Sequence, residues 1–73
     1  MNWTTKPSFV RPGWTRHGYK AAPSITDELA YIYEKDGRYV GSLAYSDLSE
    51  KEYASLQEAK ATLEALIALK GLV

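Results

Sequence analysis

The sequence has no cysteine and a single histidine, His17. Without thiols there is no disulfide framework, no thiolate zinc site and no cysteine nucleophile. One imidazole excludes a multi-histidine metal centre, and His17, in TRHGY, reads as an exposed strand or loop residue. No serine stands in a Gly-x-Ser-x-Gly setting. Asp47, Glu50 and Glu52 lack the spacing and the glycine of a calcium loop, so they read as solvated charge. The glycines are scattered rather than gathered into a phosphate-binding loop. Long apolar runs are missing too. Residues 63–69, the most apolar stretch, are too few to cross a bilayer, and the opening MNWTTKPSFV lacks the long apolar run expected of a secretory signal. The expectation is a non-enzymatic protein of the cytoplasm, with no metal, no cofactor and no membrane partner.

An excess of charge of one sign is also absent: nine Lys and Arg balance nine Asp and Glu. The placement is nevertheless uneven. Residues 1–20 hold Lys6, Arg11, Arg16 and Lys20 with no acid, whereas acids dominate residues 21–50. Overall neutrality disfavours a dedicated nucleic-acid binder, and the basic N-terminal segment keeps that function as an alternative.

What is present is enough for one small folded domain. The chain has 73 residues, of which 45% are hydrophobic and 25% charged, an ordinary globular balance. A chain this short buries only about 60% of its unfolded surface. Its core must therefore be used efficiently, and self-association would help.

Pro7, Pro12 and Gly13 oppose helix, so residues 1–13 read as an extended arm. Trp3, Phe9 and Trp14 are too costly for a mere tail and imply that part of the arm packs onto the domain. Residues 14–22 form a possible first strand, ended by Pro23-Ser24. The stretch ELAYIYEKDGRYVGSLAY, residues 28–45, contains four of the six tyrosines. It reads as a β-hairpin over 29–45, turning at Asp36-Gly37.

Two registers fit that turn. A two-residue type I′ turn pairs Lys35 with Arg38. A three-residue loop, closed by glycine in a G1 bulge, pairs Glu34 with Arg38 instead. The choice sets the faces, because a one-residue slip exchanges the face of one strand relative to the other. Apposing Lys35 and Arg38 is unfavourable and apposing Glu34 and Arg38 favourable, so the three-residue loop is expected. It gathers Tyr31, Tyr33, Tyr39 and Tyr45 on one face.

Residues 46–52 read as a polar turn. Ser55-Leu56-Gln57-Glu58 then spells a capping box. Leu56, Ala59, Leu63, Leu66 and Ile67 follow as an apolar stripe at helical spacing. The spacing predicts a helix in residues 55–70, with Ser55 as its cap, Lys70 at the negative end of the dipole, Gly71 as the left-handed cap and Leu72 folding back. Ser49-Glu50-Lys51-Glu52 is a second capping box and the rival start, ranked behind Ser55. The fold class expected is α+β, with a two- or three-stranded antiparallel sheet packed against one C-terminal helix.

Two constellations suit binding. Tyr31, Tyr33, Tyr39 and Tyr45 would offer large contact area at low entropic cost, unless they form the core beneath the helix. Trp3, Trp14, Arg11 and Arg16, with Lys6 and Phe9, interleave aromatic and basic side chains, a mixture suited to an acidic protein surface or to nucleic acid.

The segment DGRYVGSLAY…YASLQEAKATLEAL resembles the sheet-plus-helix modules of tyrosine integrase arm-binding domains and plant ethylene-response-factor domains. Both place an aromatic residue, a Ser or Thr cap and a helix start after a hairpin. The resemblance spans residues 31–66, about half the chain, and implies DNA contact through the sheet face away from the helix. Those families carry several Arg and Lys there, where this reading places Arg38 with Tyr, Ala and Ser. In size and style the chain also resembles short cysteine-free accessory proteins of bacteriophages and prophages. That likeness implies a modulator or inhibitor of a host protein, acting in the host cytoplasm. The expected partner is a protein or a second copy of the chain, and the alternative is DNA or RNA bound by the basic N-terminal segment and the sheet.

Overall fold

The turn chemistry distributes the strands. In the computed structural model, which describes residues 3–20, 28–44 and 49–70, Asp36 (φ 50) and Gly37 (φ 79) both occupy the left-handed region. Positive φ at both central positions is what a two-residue type I′ turn requires. Lys35 accordingly lies opposite Arg38, and Glu34 opposite Tyr39. The three-residue loop expected from charge pairing does not form. The reason lies on the neighbouring strands: Arg38 turns away from Lys35 to Glu52, at 3.2 Å, while the Lys35 ammonium lies 6.0 Å from the Trp14 ring centroid.

Among the described residues, five antiparallel strands follow one another in chain order: β1 (Trp3–Pro7), β2 (Thr15–Tyr19), β3 (Ala30–Lys35), β4 (Arg38–Leu43) and β5 (Lys51–Tyr53), and one helix, α1 (Leu56–Leu69), comes after them. The class is α+β with one C-terminal helix, but the sheet has five strands rather than two or three. The two unexpected strands lie at its edges. β1 arises from the segment read as an arm; its Pro7, which has no amide to donate, is tolerated at an edge. β5 is only three residues long, too short to show alternation, and displaces the polar turn and the rival helix start at Ser49.

The register assigns every strand residue to a face, because directly opposed residues share one. One face carries Trp3, Tyr19, Ala30 and Leu43 in a row, then Thr5, His17, Ile32 and Gly41, then Thr15, Glu34, Tyr39 and Tyr53. The helix covers this face. Ala30, Ile32, Leu43 and Tyr53 make one core with Ala59, Leu63 and Ile67, and Trp3, Tyr19, Tyr39, Leu56 and Leu66 pack around it. Full burial of a side chain such as Ile32, Leu63 or Ile67 stabilises by about 1.5–3 kcal/mol. Gly41 makes the close approach possible, since a Cβ there would stand 2.7 Å from the Tyr31 carbonyl oxygen and 3.2 Å from Leu63 Cδ1.

The helix starts where its capping box predicts. The Ser55 Oγ accepts the Glu58 amide at 3.1 Å. The Glu58 carboxylate reaches back to the Ala54 amide, also at 3.1 Å, one residue earlier than in a standard box. Lys70 is the C-cap. The expected roles of Gly71 and Leu72 lie outside the described residues, as do residues 21–22 of the first expected strand. No helix among the described residues is long and apolar enough to cross a membrane.

Candidate functional site: the open face of the sheet

Among the described residues, no helix lies over the opposite face. Its rows are Thr4, Gly18, Tyr31 and Ser42, and Lys6, Arg16, Tyr33, Val40 and Glu52, followed by Lys35 and Arg38 at the hairpin end. Alternation along β2 and β3 thus puts Arg16 between Lys6 and Tyr33, and Tyr31 beside it.

These side chains form a stack of cations and rings. The Arg16 guanidinium carbon lies 4.9 Å from the Tyr31 ring centroid and 5.3 Å from that of Tyr33. Its Nη1 donates to the Tyr33 hydroxyl, while Nε and Nη2 donate to Glu28 Oε1 at 3.0 and 2.6 Å. Burial alone would lower the Arg16 pKa; hydrogen bonding and attraction from Glu28, helped by Tyr33, outweigh it and hold the group above its ordinary value. Arg16 is a fixed cation.

Arg11 supplies the upper layer. It comes from the β1–β2 loop, its guanidinium carbon 4.5 Å from the Tyr33 centroid and 5.8 Å from that of Trp14. Its Nη2 donates to Glu50 Oε1 at 2.7 Å, and the Tyr31 hydroxyl donates to Glu50 Oε2 at 2.9 Å. Burial, and after it the hydrogen bond to Glu50, push the Tyr31 phenol above its ordinary pKa. For Glu50, desolvation pulls upward, but the bonds from Arg11 and Tyr31 prevail and lower its pKa. Tyr31 and Tyr33 meet edge to face with centroids 5.4 Å apart. Covered by the arginines, Tyr33 is only 5% exposed although no helix touches its face. Cation–π contacts of this kind are worth about 0.5–2 kcal/mol each, more as they are desolvated.

The expected site residues therefore divide. Tyr31, Tyr33, Trp14, Arg11 and Arg16 come together on or over the open face. Tyr39 and Trp3 do not: the two-residue turn sends Tyr39 to the helix side. Trp3 packs there against Tyr19, with centroids 5.1 Å apart, and donates from Nε1 to Glu64 at 2.7 Å. Tyr45 lies outside the described residues. Sequence reasoning missed Glu28 and Glu50, which set the positions of the arginines. It also missed the cations: the open face carries Lys6, Arg16, Lys35 and Arg38 rather than Arg38 alone. The signal for Lys6 and Arg16 was their even spacing in two segments that alternate as strands.

His17 is buried at 4% exposure, not exposed as expected. It lies on the helix side, its Nε2 2.8 Å from Glu34 Oε1 and its Nδ1 2.9 Å from the Thr5 hydroxyl. A carboxylate only accepts, so Nε2 carries a proton and both ring nitrogens are satisfied. The chain of groups ties β1, β2 and β3 together. Among the described residues no cluster of His, Asp or Glu could hold a metal ion.

Comparison of the chain with family models, with curated proteins and with solved structures finds no match.

Proposed function

We propose that this chain is a non-enzymatic protein-binding module whose open sheet face meets a protein partner. One observation carries the reading. Tyr31, Tyr33, Trp14, Arg11 and Arg16 converge on the face opposite the helix. Tyr, Trp and Arg are the residue types that dominate interface hot spots: Tyr and Trp bury much area with few lost rotamers, and the Arg guanidinium offers a planar set of donors. The arginines are held by Glu28 and Glu50 and lie over rings, so the surface is ordered before binding and little ordering cost remains.

The test is capture from a lysate of the source organism with the native chain and with Tyr31→Ser. Tyr31 is only half-buried, so the variant should remain folded with a modest fall in melting temperature. Capture of a discrete partner should drop. Unchanged capture removes Tyr31 from the interface, and collapse of the fold makes the ring structural and ends this reading.

A second reading, nucleic-acid binding, is favoured by Lys6, Arg16, Lys35 and Arg38 sharing that face with aromatic rings. Arg11, Arg16 and Arg38 are already paired with carboxylates, which phosphates would have to displace. Titration with single- and double-stranded DNA at two salt concentrations separates the readings. Phosphate contacts strengthen at low salt, so no binding there excludes the nucleic acid.

A further inference from the structure

The β1–β2 loop, residues 8–14, places its apolar side chains in the wrong direction for folding. Phe9 is 95% exposed and Val10 80% exposed, although the ring cluster of Trp14 and Tyr33 lies at the base of the same loop. A floppy loop would bring them to that cluster. This one is built to prevent it. Ser8 donates its amide to the Trp14 carbonyl at 2.9 Å, continuing the β1–β2 ladder, and its Oγ accepts the Arg11 amide at 3.0 Å.

Arg11-Pro12-Gly13-Trp14 is then a turn of the type II pattern. The Trp14 amide donates to the Arg11 carbonyl at 3.0 Å, Pro12 occupies the second position, and Gly13 takes φ 87 at the third. The Arg11 side chain bolts the loop to the sheet through Tyr33, Trp14 and Glu50. Phe9 and Val10 sit between two fixed points, Ser8 and Arg11, and project outward.

An exposed phenylalanine contributes almost nothing to folding and lowers solubility. An adjacent Phe and Val held outward between the fixed Ser8 and Arg11, beside the proposed binding face, have the form of a preorganised anchor. We infer that Phe9 and Val10 are the anchor of the interface, inserting into an apolar pocket on the partner protein whose rim is acidic. This rests on the protein-binding reading above and names the part of the surface that grips. Charge decides the rim. The chain from residue 1 to residue 20 has no acid, Lys6 is exposed at the end of β1, and a Cβ on Gly13 would lie 3.7 Å from the Lys35 ammonium. The acid that the structure places at the loop is Glu50, and Arg11 already pairs with it. A carboxylate rim would meet Lys6 and Lys35 and would steer the encounter.

Photo-crosslinking tests the inference. The crosslinking amino acid benzoylphenylalanine replaces Phe9 in one preparation, Leu69 in a second and Val40 in a third, and each is irradiated in lysate of the source organism. Leu69 is 83% exposed and controls for indiscriminate apolar capture; Val40 reports the open face. A discrete protein adduct from position 9, absent from position 69 and weakened by Lys6→Glu or by high salt, supports the inference. In competition, Phe9→Ser should bind that protein at least ~30-fold more weakly, the size expected of a hot spot. Its melting temperature should match that of the native chain, because the side chain is solvated.

Adducts from position 40 without any from position 9 overturn the anchor while leaving the proposed function standing. Adducts from position 9 alone leave the anchor and displace the face. The inference also falls if position 9 crosslinks equally with position 69, to nucleic acid, to a second copy of the chain, or to nothing.

Discussion

Gly41 shows how much a single residue decides in a domain this small. It lies in β4 between Ile32 and the helix, and a methyl group there would stand 2.7 Å from a backbone oxygen of the neighbouring strand. Backbone cannot move aside as a side-chain tip can. Gly41→Ala should therefore cost about 1–3 kcal/mol by overpacking, read as a lower urea midpoint with an unchanged slope. The matching substitution Val40→Ala, one residue away on the open face, shortens a half-buried side chain flanked by Tyr33 and Glu52. It should change the midpoint much less. A Gly41→Ala variant as stable as the native chain would mean that the Tyr31 carbonyl, Ile32 and Leu63 do not crowd position 41 as described.

The capping box and the turn govern whole elements. Ser55→Ala removes the acceptor of the Glu58 amide and should destabilise the helix, and with it the domain, by about 1 kcal/mol. Gly37→Ala forces a β-carbon into a left-handed position (φ 79) and should destabilise by about 1 kcal/mol. Both are measured by chemical unfolding. These two elements were legible in the sequence because their signals are local: a serine three residues before a glutamate, and Asp-Gly between alternating apolar residues. The register was not. It had to be chosen from one strand pair, where Lys35 opposite Arg38 looks repulsive, yet Glu52 on β5 and Trp14 just before β2 take those charges apart. β5 itself is three residues of KEY with no pattern of its own, paired only because β4 needs a neighbour. The binding residues followed the register. Tyr31 and Tyr33 share a face under either turn, since they are two apart on one strand. Tyr39 was assigned to the wrong side by the slip.

At the scale of the whole molecule, the open face is fastened by ion pairs that cross between segments far apart in sequence. Arg11 to Glu50 joins the first loop to the approach of β5, Arg16 to Glu28 joins β2 to the entry of β3, and Arg38 to Glu52 joins β4 to β5. Stability should therefore depend on pH at both ends. The hydrogen bonds from Arg11 and Tyr31, against the opposing pull of desolvation, keep the Glu50 pKa below the ordinary 4.5; Arg38 does the same for exposed Glu52. As pH falls, the unfolded chain takes up protons at these groups before the folded chain does. The stabilisation is complete above 4.5 and is lost as the pH falls through the folded values. At the alkaline end, burial raises the phenols of Tyr31 and Tyr53 above 10.0, with Glu50 and Glu58 as the next causes. The unfolded chain then loses its protons first, so stability is full below 10.0 and declines as pH rises past it. The urea midpoint plotted against pH should show a plateau with two falling limbs. Glu50→Gln should flatten the acid limb, and Tyr31→Phe should flatten the alkaline limb. Because Tyr31 also donates to Glu50, Tyr31→Phe should leave less stabilisation to lose on the acid side, and that loss should be complete at a higher pH than in the native chain. An acid limb of Glu50→Gln superimposable on the native one would show that the bond from Arg11 across the open face does not hold the first loop in place.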